Sequence, residues 1–168
     1  MLPTRVPVQT FVPTPLRFSK DEQHQIRLEL RRFLACNIIE PVTDHSADEY
    51  ISNIFIRKKK NGGVRVILNL RSFNEQFIDK QHFKMETLRS AIEAMRPFSY
   101  LTKIDLSEAF YSIRLLESDR KYFRFLFDGI KYQFTALVMG QSKNFYQINE
   151  TGFRFSALSR SCQYVFPR

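Results

Sequence analysis

At 168 residues and 20.0 kDa the chain is the size of one domain, and 43% apolar residues with 17 Phe and 7 Tyr exclude a disordered polymer. A formal charge of +9 and a pI near 9.8 favour an anionic partner such as nucleic acid or nucleotide. Only two cysteines, Cys36 and Cys162, argue against a secreted disulfide framework, and no apolar run approaches the roughly 20 residues that cross a bilayer. The first residues fit neither a signal nor a transit peptide, so the expected setting is intracellular, cytoplasmic or nuclear, with no membrane partner.

Residues 1–18 carry Pro3, Pro7, Pro13 and Pro15 and read as an extended arm, because each proline fixes φ and removes a donor. Ser19 and Glu22 have capping-box spacing, and Ile26, Leu30, Phe33 and Leu34 follow at helical intervals toward Asn37. A loop containing Pro41 and the polar run 43–49 comes next. Residues 51–58 and 64–70 read as strands joined at Asn61-Gly62-Gly63, a hairpin signal. Met85, Leu88, Ile92 and Met95 predict a second amphipathic helix, stopped by Pro97. Residues 100–106 form a strand ending at Asp105, followed by a short helical stretch. A second hairpin, 123–127 with 131–137, turns at Asp128-Gly129. The order is α+β rather than a repeating βαβ series.

The first hairpin concentrates charge. Arg57, Lys58, Lys59, Lys60, Arg65 and Arg71 fall between Ile54 and Arg71 with no acid among them. Alternation puts Val64, Val66, Leu68 and Leu70 on one face and Arg65 on the other. Lysine is a point charge for phosphate, and arginine can fork onto two of its oxygens. Asp105 is the other feature. Nucleotidyl transfer uses two divalent cations held by converging carboxylates, and a strand end gives a carboxylate a fixed direction. An Asp at a strand end taken alone is more often a turn or cap residue.

Three segments together are more specific. Ile54–Asn74 with its basic hairpin, Leu101-Thr-Lys-Ile-Asp105-Leu-Ser-Glu-Ala-Phe110-Tyr-Ser-Ile113, and Ser118–Phe125 resemble, in order and spacing, the fingers and first catalytic segment of retroelement reverse transcriptases. The wording is closest to long-terminal-repeat and tyrosine-recombinase retrotransposons. The resemblance implies right-hand polymerase fingers and an incomplete palm, built from two β-hairpins with amphipathic helices. It implies Asp105 as the first metal ligand, with the Leu106 carbonyl beside it, for Mg²⁺ or Mn²⁺. Lys58, Arg65, Glu108, Ala109, Phe110 and Gly140 correspond to nucleotide-contacting positions; Phe110 matches the aromatic that excludes a 2′-hydroxyl. Arg57, Lys59, Lys60 and Arg71 are the expected nucleic-acid contacts. The implied partners are deoxynucleoside triphosphates, an RNA or DNA template-primer and the remainder of the polymerase.

The expected layout is an arm (1–19), fingers (20–84), palm (85–112), a fingers/palm hairpin (113–140) and a divergent tail (141–168). After Gly140 the wording departs from the family: no Ala-Pro pair follows, no Asp-Asp pair occurs anywhere, and no Asp follows Asp128. A truncated domain is expected, with negligible polymerase activity by this chain alone and weak metal binding. The alternative is a non-enzymatic remnant that binds nucleic acid or a partner.

Overall fold

The structure, a computed structural model, describes residues 7–44, 48–59, 62–78, 87–96, 100 and 108–139. Helix α1 (Lys20–Ala35) begins where its cap places it. The Ser19 hydroxyl accepts from the Glu22 amide, and the Glu22 carboxylate accepts from the Ser19 amide. Asn37, at φ 53°, ends the helix in the left-handed region, while the amides of Asn37 and Ile38 donate to the carbonyls of Leu34 and Phe33. This double closure satisfies carbonyls that the last turn leaves unpaired. Ile26, Leu30 and Phe33 are the buried stripe of α1.

Among the described residues two antiparallel sheets follow. The first has the order β1 (Ile39–Pro41), β5 (Ile130–Phe134), β4 (Arg124–Phe127); Ile39 lies opposite Phe134, and Phe127 opposite Ile130. Asp128 and Gly129, at φ 49° and 75°, form the two-residue turn between β4 and β5, the primed geometry that matches strand twist. The second sheet is the hairpin of β2 (Ile54–Lys58) and β3 (Val64–Leu68). The remaining described elements are short: α2 (Arg71–Phe77), α3 (Leu88–Ala94), a 3₁₀ turn (Ala109–Ser112) and α4 (Glu117–Arg120).

Several expectations require correction. Pro41 lies in a strand, not a loop: β1 is an edge strand, where the missing proline donor costs little. The first strand of the basic hairpin starts at Ile54 rather than residue 51. Residues 50–52 instead run beside β4, with Ser52 donating to the Arg124 carbonyl and Arg124 to that of Tyr50. Helix α2 stands where the sequence reading has no helix, because its seven residues carry one buried apolar anchor, Phe73. Helix α3 is present and capped by Thr87 with Ser90, yet Leu88, Ile92 and Met95 are exposed. All but residue 100 of the strand expected at 100–106, and the tail from 142, lie outside the described residues.

The core is aromatic. Phe73 contacts Tyr50, Phe77, Tyr122 and Phe123 at centroid distances of 5.1, 5.6, 6.2 and 5.7 Å, and so holds α2 on the first sheet. A second file of rings runs Phe125–Phe134–Phe33–Tyr111 at 5.6, 6.2 and 5.2 Å. It joins the sheet through α1 to the 3₁₀ turn. Such pairs contribute about 0.5–1.5 kcal/mol each beyond area burial.

Beneath the loop before Tyr50 lies an ionic knot. The Arg124 side chain, 4% exposed, donates to Glu49 at 2.6 Å, to both oxygens of Asp44 at 3.0 and 3.1 Å, and to Gln133 at 3.0 Å. Lys131 donates to the same Glu49 at 2.6 and 2.8 Å. A buried cation costs several kcal/mol unless its donors are matched, and here three partners match them.

Candidate nucleotide and nucleic-acid site

The β2–β3 register sorts the basic residues by face. Arg57 lies directly opposite Arg65, and Lys58 opposite Val64. Arg57 and Arg65 therefore share the outer face, while Lys58 projects on the side that carries buried Val64, Val66 and Leu68. All three cations are exposed, and among the described residues none has a salt bridge or hydrogen bond. Their neighbours differ: Lys59 donates to Glu29 at 3.3 Å, and Arg71 to Glu75 at 3.0 Å. Like charges facing each other across strands destabilise the pair. An anion between Arg57 and Arg65 relieves that repulsion. Gly62, at φ 84°, supplies the reversal at the hairpin tip. Lys60 lies outside the described residues.

The second half of the site is the 3₁₀ turn. Glu108 precedes it with φ 51° and ψ 39°, a left-handed conformation that costs a non-glycine residue about 1–3 kcal/mol. Arg32 of α1 grips its carboxylate with a fork, Nη1 to Oε2 at 2.9 Å and Nη2 to Oε1 at 2.8 Å. The same guanidinium holds Glu29, with Nη2 to Oε1 at 2.9 Å and Nε to Oε2 at 3.2 Å. Burial works against the Arg32 charge, but Glu108 and Glu29 outweigh it and raise its pKa. Lys59, Glu29, Arg32 and Glu108 thus form one chain of ion pairs from hairpin to helix to turn. Among the described residues no acceptor takes the amides of Glu108 or Ala109. Backbone amides with no acceptor among the described residues are suited to an anion.

Tyr111 sits under this chain, edge-on to Phe33. Its hydroxyl is pushed up to about 12, chiefly by burial and then by the Glu108 carboxylate, while the charges of Arg32 and Arg65 oppose the shift. The charge of Arg65 thus reaches the Tyr111 hydroxyl, as the weakest of these influences. Phe110 is half-buried in the same turn. Asp105, Leu106 and Gly140 lie outside the described residues. Among the described residues no cluster of three or more His, Cys, Asp or Glu could hold a metal ion, so no two-metal donor set is assembled there.

Sequence reasoning missed Glu29, Arg32 and Tyr111. The two charged residues sit on the polar side of an amphipathic helix, where long side chains ordinarily face water. Only their spacing, three apart on one face, hinted at a pair.

No family model matches the chain. It is 27% identical over 118 residues to the retrovirus-related Pol polyprotein from transposon gypsy of Drosophila melanogaster, covering 67% of this chain and 11% of that protein. It is 31% identical over 116 residues to the Gag-Pro-Pol polyprotein of sheep pulmonary adenomatosis virus, covering 63% of this chain and 6% of that one. The chain thus spans only a small part of the curated relatives it matches. Among solved structures, the native prototype foamy virus protease-reverse transcriptase matches at a TM-score of 0.63 with 15% identity, over 83% of this chain and 19% of that one. The foamy viral protease-reverse transcriptase in complex with dsDNA matches at 0.61 with 17% identity, over 82% and 27%. The chain is thereby related to retroviral and transposon Pol polyproteins. Its fold, mixed α/β with small antiparallel sheets, is that of part of the foamy virus enzyme.

Proposed function

We propose that this chain is the fingers and partial palm of a retrotransposon-type RNA-directed DNA polymerase, and that it holds nucleotide and template without completing catalysis by itself. The observation that carries the reading is that the basic hairpin and the turn at Glu108 are tied into one ion-pair network through Lys59, Glu29 and Arg32. On the hairpin, Lys58 and Arg65 meet no acid among the described residues; at the turn, no described acceptor takes the amides of Glu108 and Ala109, and Tyr111 feels the charge of Arg65. In this reading the two elements receive a deoxynucleoside triphosphate, Phe110 lies under its sugar, and Arg57, Lys59, Lys60 and Arg71 face the template-primer. Relation to Pol polyproteins supports it.

Asp105 and the Leu106 carbonyl are the proposed first ligands of Mg²⁺ or Mn²⁺. Those ions would activate the primer hydroxyl and neutralise the leaving pyrophosphate. The chain carries no Asp-Asp pair to hold the second side of that site, and the described residues supply no substitute. Purified protein should therefore give no metal-dependent primer extension on an RNA or DNA template. Robust, Asp105-dependent synthesis would overturn the claim of incompleteness. The hairpin cations, which meet no acid among the described residues, also support a second reading, a remnant that only binds nucleic acid. It predicts salt-sensitive binding to template-primer with no affinity for free triphosphate.

A further inference from the structure

We infer that Arg32 is a positioning residue of the nucleotide site: by clamping Glu108 in its left-handed conformation it aims the amides of Glu108 and Ala109, and through Glu29 it ties that turn to the hairpin at Lys59. The inference rests on the function proposed above. Its physical basis is local. Glu108 has no glycine-like freedom, and its backbone conformation persists only if something outside the turn holds it. The grip of Arg32 is such a hold, since the Nη1–Oε2 hydrogen bond and the Nη2–Oε1 ion pair together fix the carboxylate in direction as well as distance. The other edge of the guanidinium is taken up by Glu29, which cannot swing away while it also accepts from Lys59. Glu29 is 13% and Arg32 25% exposed at the side chain, against 33% for Lys59 and 43% for Glu108, so the network is shielded from water and salt at its middle and open at its ends. Hairpin, helix and turn thus share one charge network of zero net charge.

A lysine at position 32 keeps the charge but loses the fork. Glycine at position 108 adopts positive φ without help and keeps its amide. If the clamp works by holding φ, R32K should weaken binding of a fluorescent deoxyadenosine triphosphate analogue about tenfold, or about 1.4 kcal/mol. The same substitution in the E108G background should weaken binding no further, so that R32K/E108G matches E108G. A residue that merely stabilised α1 would weaken binding equally in both backgrounds, and that outcome overturns the inference. Hydrogen exchange without ligand gives an independent reading. R32K should accelerate exchange of the 109–112 amides about tenfold relative to those of β4 and β5, and unchanged exchange there overturns the inference. If the parent protein fails to bind the analogue while R32K still loosens the turn, the proposed function fails and the clamp stands.

Discussion

Tyr111 shows how one partly buried group converts the site's electrostatics into a measurable. Its pKa near 12 in the fold, against about 10 when unfolded, means that the folded state keeps its proton longer. The associated stability is fully present below pH 10 and is lost as pH rises from 10 to 12, to the extent of about 2–3 kcal/mol. Urea titrations between pH 9 and 12 should show this fall, and Tyr111→Phe should flatten it; an equally steep fall in the variant would refute the assignment. Arg124 makes the opposite kind of case. Arg124→Ala leaves Glu49 without its closest cation apart from Lys131, and should cost about 2–4 kcal/mol in urea midpoint measurements. Arg124→Met, which keeps volume without charge, should recover part of that only if packing rather than pairing dominates.

Among the elements, turns and caps were the most legible in the sequence. Ser19 and Glu22 marked the start of α1, and Asp128-Gly129 marked the β4–β5 hairpin, because each residue type answers a specific backbone demand. Gly129→Ala should therefore cost about 1–2 kcal/mol through strain at φ 75°, although open space surrounds the position; chemical denaturation against Gly129→Asn, which tolerates that φ, checks the cause. Strand β1 was not legible: three residues ending in Pro41 carry no periodic signal, and pairing to β5, some 90 residues away, makes them a strand. Helix α3 was legible as a helix but not in its packing, since periodicity reports which residues share a face and not what covers it. The same limit applies to the site. The hairpin's charge was visible, but the register that pairs Arg57 with Arg65 and turns Lys58 aside is set by Ile54 lying opposite Leu68.

Over the whole molecule, +9 is an average that hides a division of labour. Arg27, Arg32, Lys59, Arg71, Arg89, Arg120, Lys121, Arg124 and Lys131 each meet a carboxylate, so much of the positive charge is neutralised within the fold. Arg57, Lys58 and Arg65 of the hairpin meet no carboxylate among the described residues, and they are among the cations proposed to meet phosphate. Affinity for a template-primer should fall steeply with added salt. Replacing Arg57, Lys60 and Arg71 together by Gln should reduce the slope of log affinity against log salt by about 2–3, at roughly 0.7–0.9 for each phosphate that the variant no longer neutralises. An unchanged slope in the triple variant would place the nucleic-acid surface elsewhere.

The arm gives this surface a border. Residues 50–52 run parallel to β4, which leaves the amide and carbonyl of Ile51 pointing outward as an open edge. One side chain closes it: Gln9 accepts from the Ile51 amide and donates to its carbonyl, both at 2.7 Å, while Asn53 donates to Thr14 further along. A single amide here impersonates the backbone of an absent neighbour. The molecule thus carries its own counterfeit strand, and any extended peptide seeking that edge must first evict Gln9.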